Sequence, residues 1–198
     1  MTQTEKKTAA KAYFSLQRMV FSALFAALIA LCAWVQVPFQ IPFTMQTFAV
    51  FSALLFLGGK YGTLSILVYT LLGAAGLPVF TGFRGGFGAL FGVTGGYITG
   101  FLLGALFYWA LGALLEKKGR QTFAAKTLSL VGVLMLCYAF GTLWFTAVQG
   151  SLFSPAAFFS ALGVCVAPFA VPDLCKLILA LFLYRKLAKY VPEIEKHP

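Results

Sequence analysis

The stretch MVFSALFAALIALCAWVQV, residues 19–37, carries no charged side chain. A helix that crosses a bilayer needs about 20 consecutive apolar residues, and this stretch meets that requirement by itself. Basic residues precede it, as they also would in a cleaved signal peptide. Because further apolar runs follow at once, we interpret residues 19–36 as a first span that is retained. The stretch therefore predicts a membrane-embedded helical fold.

Composition extends that prediction to the whole chain of 198 residues. Hydrophobic residues make up 61% of the chain and charged residues 10%, whereas a soluble domain carries about 25% charged residues. The mean hydropathy is +0.90. A short chain this apolar cannot cover its surface with polar groups, so its solvent is mostly lipid. We expect an all-α integral membrane protein with no separate soluble domain.

Prolines and glycines interrupt the apolar sequence and so mark the ends of the spans. Six spans are predicted: residues 19–36, 45–58, 61–76, 89–115, 127–149 and 172–190. The apolar piece between Pro155 and Pro168 is too short to cross a membrane, so we expect a short interfacial or re-entrant helix before the last span. The predicted organisation is a polar segment at 1–18, a six-helix transmembrane domain at 19–190 and a tail at 191–198.

The basic residues test this span count, because cytoplasmic segments of membrane proteins are enriched in lysine and arginine. Six spans place both termini on one side of the membrane. All lysines and arginines except Arg84 and Lys176 then belong to segments on that side. We therefore predict that both termini are cytoplasmic. The net charge of +10 arises from these clusters and does not indicate nucleic-acid binding.

Two ionisable residues lie within the last predicted span, Asp173 and, three positions later, Lys176. This spacing places both side chains on one face of a helix. Ionisable groups in membrane segments are costly and commonly mark functional sites. An aspartate in a first helical turn also complements the helix dipole, so a purely structural pair is the alternative. We expect the pair to bind a small ligand near the outer face of the membrane.

Arg84 is the one basic residue predicted to lie outside, in a loop rich in glycine. Gly85 and Gly86 would let the backbone approach a ligand closely, and a guanidinium group suits a carboxylate. The alternative is a solvated arginine in an ordinary turn. We include Arg84, Gly85 and Gly86 among the candidate ligand-binding residues.

Uncharged polar residues are predicted at the same face. Thr44 and Gln46, around the start of the second span, suit hydrogen bonds to a neutral polar ligand. Tyr97 follows small residues at the start of the fourth span, where helix packing is an equally good explanation. All three complete the set of candidate ligand-binding residues.

The first span carries two overlapping AxxxA spacings, one from Ala23 to Ala27 and one from Ala26 to Ala30. Small residues at this spacing let two helices approach closely in lipid. The ridge could pack within this chain or form a docking surface for another membrane subunit. We predict the four alanines as a partner interface and keep internal packing as the alternative.

Residue types also exclude several chemistries. The only histidine is His197, and the four cysteines, with no CxxC pair, behave as small hydrophobic residues. No GxxxxGK[ST] motif occurs, so the chain cannot bind ATP through a P-loop. We expect no catalytic residue, metal or cofactor, and a protein that captures a small molecule. An intramembrane enzyme and a structural or channel subunit are weaker alternatives.

Three stretches of the chain resemble the BioY family, the biotin-binding substrate-recognition (S) components of energy-coupling factor (ECF) transporters. They are YTLLGAAGLPVFTGFRGGFGALFGVTGGYITGF at 69–101, PFAVPDLCKLILA at 168–180 and IPFTMQT at 41–47, and the likeness covers about residues 15–190. The resemblance implies a fold of six transmembrane helices with an outward-facing biotin pocket, in a bacterial plasma membrane. It also implies partners, namely a transmembrane coupling (T) subunit and two cytoplasmic ATPase subunits.

The same resemblance implies roles for individual residues. Asp173 and Lys176 would bind the polar groups of biotin, and Arg84 would lie beside the pocket. Charge suggests that Lys176 or Arg84 binds the valerate carboxylate and that Asp173 accepts a hydrogen bond from a ureido N–H group. An S component for another vitamin, or a stand-alone membrane carrier of small molecules, is the alternative.

Overall fold

The computed structural model describes residues 3–38, 41–150, 155–187 and 189, and these ranges are almost entirely helical. The elements, in chain order, are α1 Gln3–Trp34, β1 Gln36–Val37, β2 Phe43–Thr44, α2 Gln46–Ala74, α3 Phe87–Leu90, α4 Gly95–Lys117, α5 Phe123–Val148, α6 Pro155–Cys165 and α7 Ala167–Leu187. Helix α1 begins inside the predicted polar segment 1–18. The predicted tail at 191–198 lies outside the described residues.

The long helices have the character of membrane spans. Five of the described helices are long and apolar enough to cross a bilayer: α1 from Leu16, α2, α4, α5 and α7. Large apolar side chains project from the outside of the bundle, as at Leu128 in α5 and Val171 in α7. A continuous apolar exterior is unfavourable in water and favourable in lipid. The prediction of an all-α integral membrane protein is confirmed.

Helix α2 is a helical hairpin whose two arms take the places of two predicted spans. Gly58 interrupts it with φ 72° and ψ −179°, a conformation open to glycine but strained for other residues. Beyond this break the chain folds back on itself. The close approach of the two arms shows this: a Cβ added at Gly62 would lie 2.9 Å from the Cα of Leu54. The arms 46–57 and 59–74 correspond to the predicted spans 45–58 and 61–76. Each arm is shorter than a full crossing, so the count of six is approximate.

Helices α4 and α5 pack closely because glycines replace side chains along one face of α4. A Cβ at Gly96, Gly100 or Gly104 would press against Trp144, Cys137 or Val133 of α5, at 2.2, 3.1 and 2.7 Å. The three glycines recur every four residues, which is the small-residue spacing that lets membrane helices approach closely. This contact fixes the relative position of two walls of the bundle.

The last third of the chain differs in one detail from the sequence prediction. A short helix, α6, does precede the last span, but α7 begins at Ala167 and not near residue 172. Pro168 lies in the first turn of α7, where its missing N–H group is harmless. Pro172 therefore lies inside the helix and removes one backbone hydrogen bond there. The earlier start places Asp173 almost two turns into α7.

Candidate ligand-binding site

A cavity lies where β2, α4, α5 and α7 meet, and we call it the pair cavity because Asp173 and Lys176 line it. Its volume is about 60 Å³. Polar and aromatic side chains form much of its wall: Thr44, Gln46, Thr47, Thr81, Thr94, Tyr97, Phe101, Tyr138 and Phe169. Five of the ligand-binding candidates from the sequence therefore lie together on the wall of this cavity: Thr44, Gln46, Tyr97, Asp173 and Lys176.

Asp173 and Lys176 form a buried ion pair on one face of α7. Each residue is 5% exposed, and Lys176 Nζ lies 2.7 Å from Asp173 Oδ1. The second carboxylate oxygen, Oδ2, accepts a hydrogen bond of 2.6 Å from the hydroxyl group of Tyr138 on α5. Removing two charges from water is expensive unless each finds good partners. The partners present here neutralise the pair as a whole and hold the carboxylate in one orientation.

Lys176 also ties α7 to the short hairpin formed by β1 and β2. Its Nζ donates a hydrogen bond of 2.6 Å to the carbonyl oxygen of Thr44 and lies 3.8 Å from the ring centroid of Phe43. An ammonium group over an aromatic face is attracted by the ring quadrupole. The antiparallel pairing of Gln36 with Thr44 joins β2 to the end of α1. We call the two strands β1 and β2 the strap; Thr44 of β2 lines the pair cavity.

Two further polar side chains are fixed by contacts across the bundle. Gln46 donates a hydrogen bond of 3.2 Å from Nε2 to the hydroxyl oxygen of Tyr69, on the other arm of α2. The hydroxyl group of Tyr97 donates to the carbonyl oxygen of Cys165, at 3.0 Å. Both side chains reach the cavity wall from positions set by these bonds. The cavity therefore offers hydrogen-bonding groups whose orientation is decided before a ligand enters.

Arg84 and the two candidate glycines lie outside the wall of the pair cavity, in the loop between α2 and α3. The Arg84 side chain is exposed, and its carbonyl oxygen accepts a hydrogen bond of 2.9 Å from the N–H group of Phe80. Gly86 has φ 83°, and a Cβ at Gly85 would collide with the carbonyl oxygen of Leu77. Both glycines therefore permit the backbone conformation of this loop, and the Arg84 side chain is accessible from outside the protein.

The four candidate interface alanines divide between two faces of α1. Ala26 and Ala30 are buried, at 3% and 7% exposure, in the core of this chain. Ala23 and Ala27 are exposed. The internal packing that the sequence left open therefore accounts for the first two alanines. A partner interface stays a prediction for Ala23 and Ala27.

Sequence reasoning missed two residues that complete the site, Tyr138 and Phe43. Tyr138 lies within a long apolar run, where a tyrosine resembles any other large core residue. Phe43 lies within the recognised stretch 41–47, but nothing in the sequence places its ring against Lys176. A search for hydroxyl groups inside predicted spans would have raised Tyr138 as a candidate, because a buried hydroxyl group requires a hydrogen-bond partner. No comparable signal exists for Phe43.

Comparison with known proteins decides the family. The model of the BioY family matches residues 3–193. The chain belongs to the BioY family. The biotin transporter BioY of Thermotoga maritima is 40% identical over 182 residues, which cover 91% of this chain and 100% of that protein. The probable biotin transporter BioY of Pyrococcus horikoshii is 39% identical, over 83% of this chain and 92% of that protein.

A solved structure has the same architecture as this BioY-family chain. It is the crystal structure of the S-component for biotin from an ECF-type ABC transporter, with a TM-score of 0.74 and 24% sequence identity. The likeness covers 96% of this chain and 95% of the other. At this identity it shows the fold alone. The resemblance that rested on three stretches of sequence is confirmed for both family and fold.

Proposed function

We propose that this chain is the biotin-binding S component of an ECF-type vitamin uptake transporter in a bacterial plasma membrane. The observation that carries the proposal is the buried ion pair on the wall of a cavity in a BioY-family chain. The relatives named biotin transporters favour biotin over another vitamin. In this proposal the chain itself is non-catalytic.

The ion pair suits the ureido group of biotin, which is neutral and offers both N–H donors and a carbonyl acceptor. Each oxygen of Asp173 accepts one hydrogen bond from the protein, so each keeps a lone pair for a ureido N–H group. Lys176 has one N–H group beyond its bonds to Asp173 and Thr44, and it can donate to the ureido carbonyl. A neutral group adds no uncompensated charge to a buried neutral pair.

The valerate carboxylate needs a cation that is not already neutralised. Of the two cations that charge alone suggested, Lys176 is compensated by Asp173, whereas Arg84 is exposed in the loop between α2 and α3. A guanidinium group can bind a carboxylate through two parallel hydrogen bonds. We therefore favour Arg84 for the carboxylate, with the ureido group at the ion pair.

Biotin entry requires the cavity to expand. A volume of about 60 Å³ is well below the roughly 300 Å³ at the lower end of ligand pockets. The strap contacts α7 through the hydrogen bond and cation–π contact of Lys176 and through the stacking of Phe43 on Phe169, and its own ladder is two residues long. We therefore propose that the strap moves to open the cavity, which breaks these contacts and the two-residue ladder.

Energy for uptake would come from partners. No P-loop occurs in the chain, so the proposal assigns ATP hydrolysis to two cytoplasmic ATPase subunits joined through a T subunit. The exposed Ala23 and Ala27 offer a smooth surface on α1 for a partner helix. The basic clusters favour cytoplasmic termini, which places the pair cavity toward the outside.

Biotin binding to the purified protein tests the proposal. We expect calorimetry to show tight biotin binding that Asp173→Asn and Lys176→Gln each weaken by about 1–3 kcal/mol, because each leaves a buried partner unpaired. Glu116→Gln is the matched control, since it removes an exposed carboxylate at the other end of α4. Thiamine and riboflavin should not compete. Equal affinity in all three variants would contradict the site, and preference for another vitamin would contradict the ligand.

A further inference from the structure

A second cavity lies at the opposite end of α4 and α5, and we call it the basic cavity because Arg18, Lys60 and Lys126 line it. Its volume is about 220 Å³, larger than that of the pair cavity. Along α4, its lining residue Gly112 follows Tyr97 of the pair cavity by a distance of about 22 Å, at 1.5 Å per residue. The two cavities are therefore separate sites.

Three cations converge on the basic cavity from three different parts of the fold. Arg18 comes from α1, Lys60 from the turn of the α2 hairpin, and Lys126 from the first turn of α5. Glu116, which is exposed, is the one acidic residue among the described lining residues. An anion that enters the cavity meets N–H donors from all three side chains at once.

Tyrosine side chains contact these cations around the cavity. The guanidinium carbon of Arg18 and Nζ of Lys60 lie 5.4 and 5.5 Å from the ring centroid of Tyr61. Nζ of Lys126 donates a hydrogen bond of 3.0 Å to the hydroxyl oxygen of Tyr184. These contacts limit where each cation can move, so the positive charge is organised around the cavity.

The cavity borders the lipid-facing surface of α4. Trp109 lines it and is 41% exposed, and Leu106, three residues earlier on the same face of α4, is 43% exposed. Tryptophan is enriched at membrane–water interfaces. At Gly112 a side chain is absent, and the nearest atom to an added Cβ would be Nε2 of Gln121, at 4.0 Å. A ligand with a polar anionic head and apolar chains fits this arrangement, with the head in the cavity and the chains along α4.

We infer that the basic cavity binds the phosphate headgroup of an anionic phospholipid such as phosphatidylglycerol. Inorganic phosphate has the same charge chemistry but lacks the acyl chains that the exposed face of α4 would accommodate. The inference concerns a site other than the proposed biotin pocket. The proposed orientation of the chain would place this lipid in the cytoplasmic leaflet, and only that placement rests on the proposed function.

Basic residues near a membrane attract anionic lipids in general, so the test must separate a built site from diffuse attraction. The cavity variant combines Arg18→Gln, Lys60→Gln and Lys126→Gln. The matched control combines Lys117→Gln, Lys118→Gln and Arg120→Gln, which removes the same charge from exposed positions at the same end of the bundle. The control positions do not line the basic cavity.

Native mass spectrometry of the full chain, titrated with phosphatidylglycerol or phosphatidylcholine in detergent, provides the measurement. We expect the parent to prefer phosphatidylglycerol, and the cavity variant to bind it about ten-fold or more weakly, since each basic residue contributes to headgroup affinity. The control variant should lose far less. Excess inorganic phosphate should displace the lipid only weakly.

Three results would overturn the inference: equal losses in both variants, no preference for the anionic lipid, or phosphate binding without any lipid binding. Lys60→Glu serves as a second variant, because this exposed side chain can reverse its charge without disturbing the core, and it should also lower lipid affinity. Biotin affinity, measured on the same samples, reports whether each variant is folded. Loss of lipid preference with biotin binding intact, or the reverse, distinguishes failure of one proposal from failure of the other.

Discussion

The pair cavity and the basic cavity lie at opposite ends of α4 and α5, and their charged side chains are arranged in opposite ways. In the pair cavity, Asp173 and Lys176 are buried and neutralise each other at 2.7 Å. In the basic cavity, like charges gather at half-buried and exposed positions. A neutral, hydrogen-bonded wall suits a neutral polar group, whereas an excess of cations suits an anion. Burial requires the first arrangement, because a fully buried charge needs a close counter-charge, whereas a half-buried or exposed charge keeps part of its contact with water.

The largest expected effect comes from breaking the ion pair. Asp173→Ala leaves the Lys176 ammonium group buried without its counter-charge, and we expect the free energy of unfolding to fall by about 3–5 kcal/mol. Denaturant unfolding in detergent measures this. The double variant Asp173→Leu with Lys176→Met should recover most of the stability without restoring biotin binding. A single variant as stable as the parent would show that the pair is not buried as described.

A smaller effect is expected from the hydroxyl group that orients the carboxylate. Tyr138→Phe removes the 2.6 Å bond to Asp173 Oδ2, and we expect biotin binding to weaken by about 1–3 kcal/mol in a calorimetric titration. Tyr108→Phe makes the same chemical change on the wall of the basic cavity and should leave biotin affinity unaltered. If both variants bind biotin equally well, Asp173 does not depend on Tyr138 for its orientation.

The smallest effect concerns the exposed cation beside the candidate pocket. Arg84→Gln should weaken biotin binding by up to about 1 kcal/mol, as expected for a solvated charge pair, and raised salt should remove the difference. Biotin amide, which lacks the carboxylate, should bind parent and variant alike. Lys60→Gln, an exposed cation of the basic cavity, is the control. Equal loss of affinity for the acid and the amide would place the carboxylate elsewhere.

Much of the fold could be predicted from local sequence because lipid imposes simple rules. A bilayer needs apolar stretches of a set length, and glycines and prolines end them, which is why the break at Gly58 and the short helix α6 appear where the sequence suggests. The sequence predicts that the last helix begins at residue 172 and not at Ala167, because Pro172 resembles a first-turn proline. Pro168 takes that position instead, and local sequence does not distinguish the two.

Composition, motif and i,i+3 spacing are local properties of the sequence, and they suffice to predict the lipid environment, the family and a shared helical face for Asp173 and Lys176. Tertiary packing sets which groups meet across the bundle. It joined Lys176 to the carbonyl oxygen of Thr44, 132 positions away, and Tyr138 to Asp173, and it divided the alanines of α1 between core and surface. Such contacts depend on how whole helices rotate and approach, and the glycines of α4 that set this approach act through atoms distant in sequence.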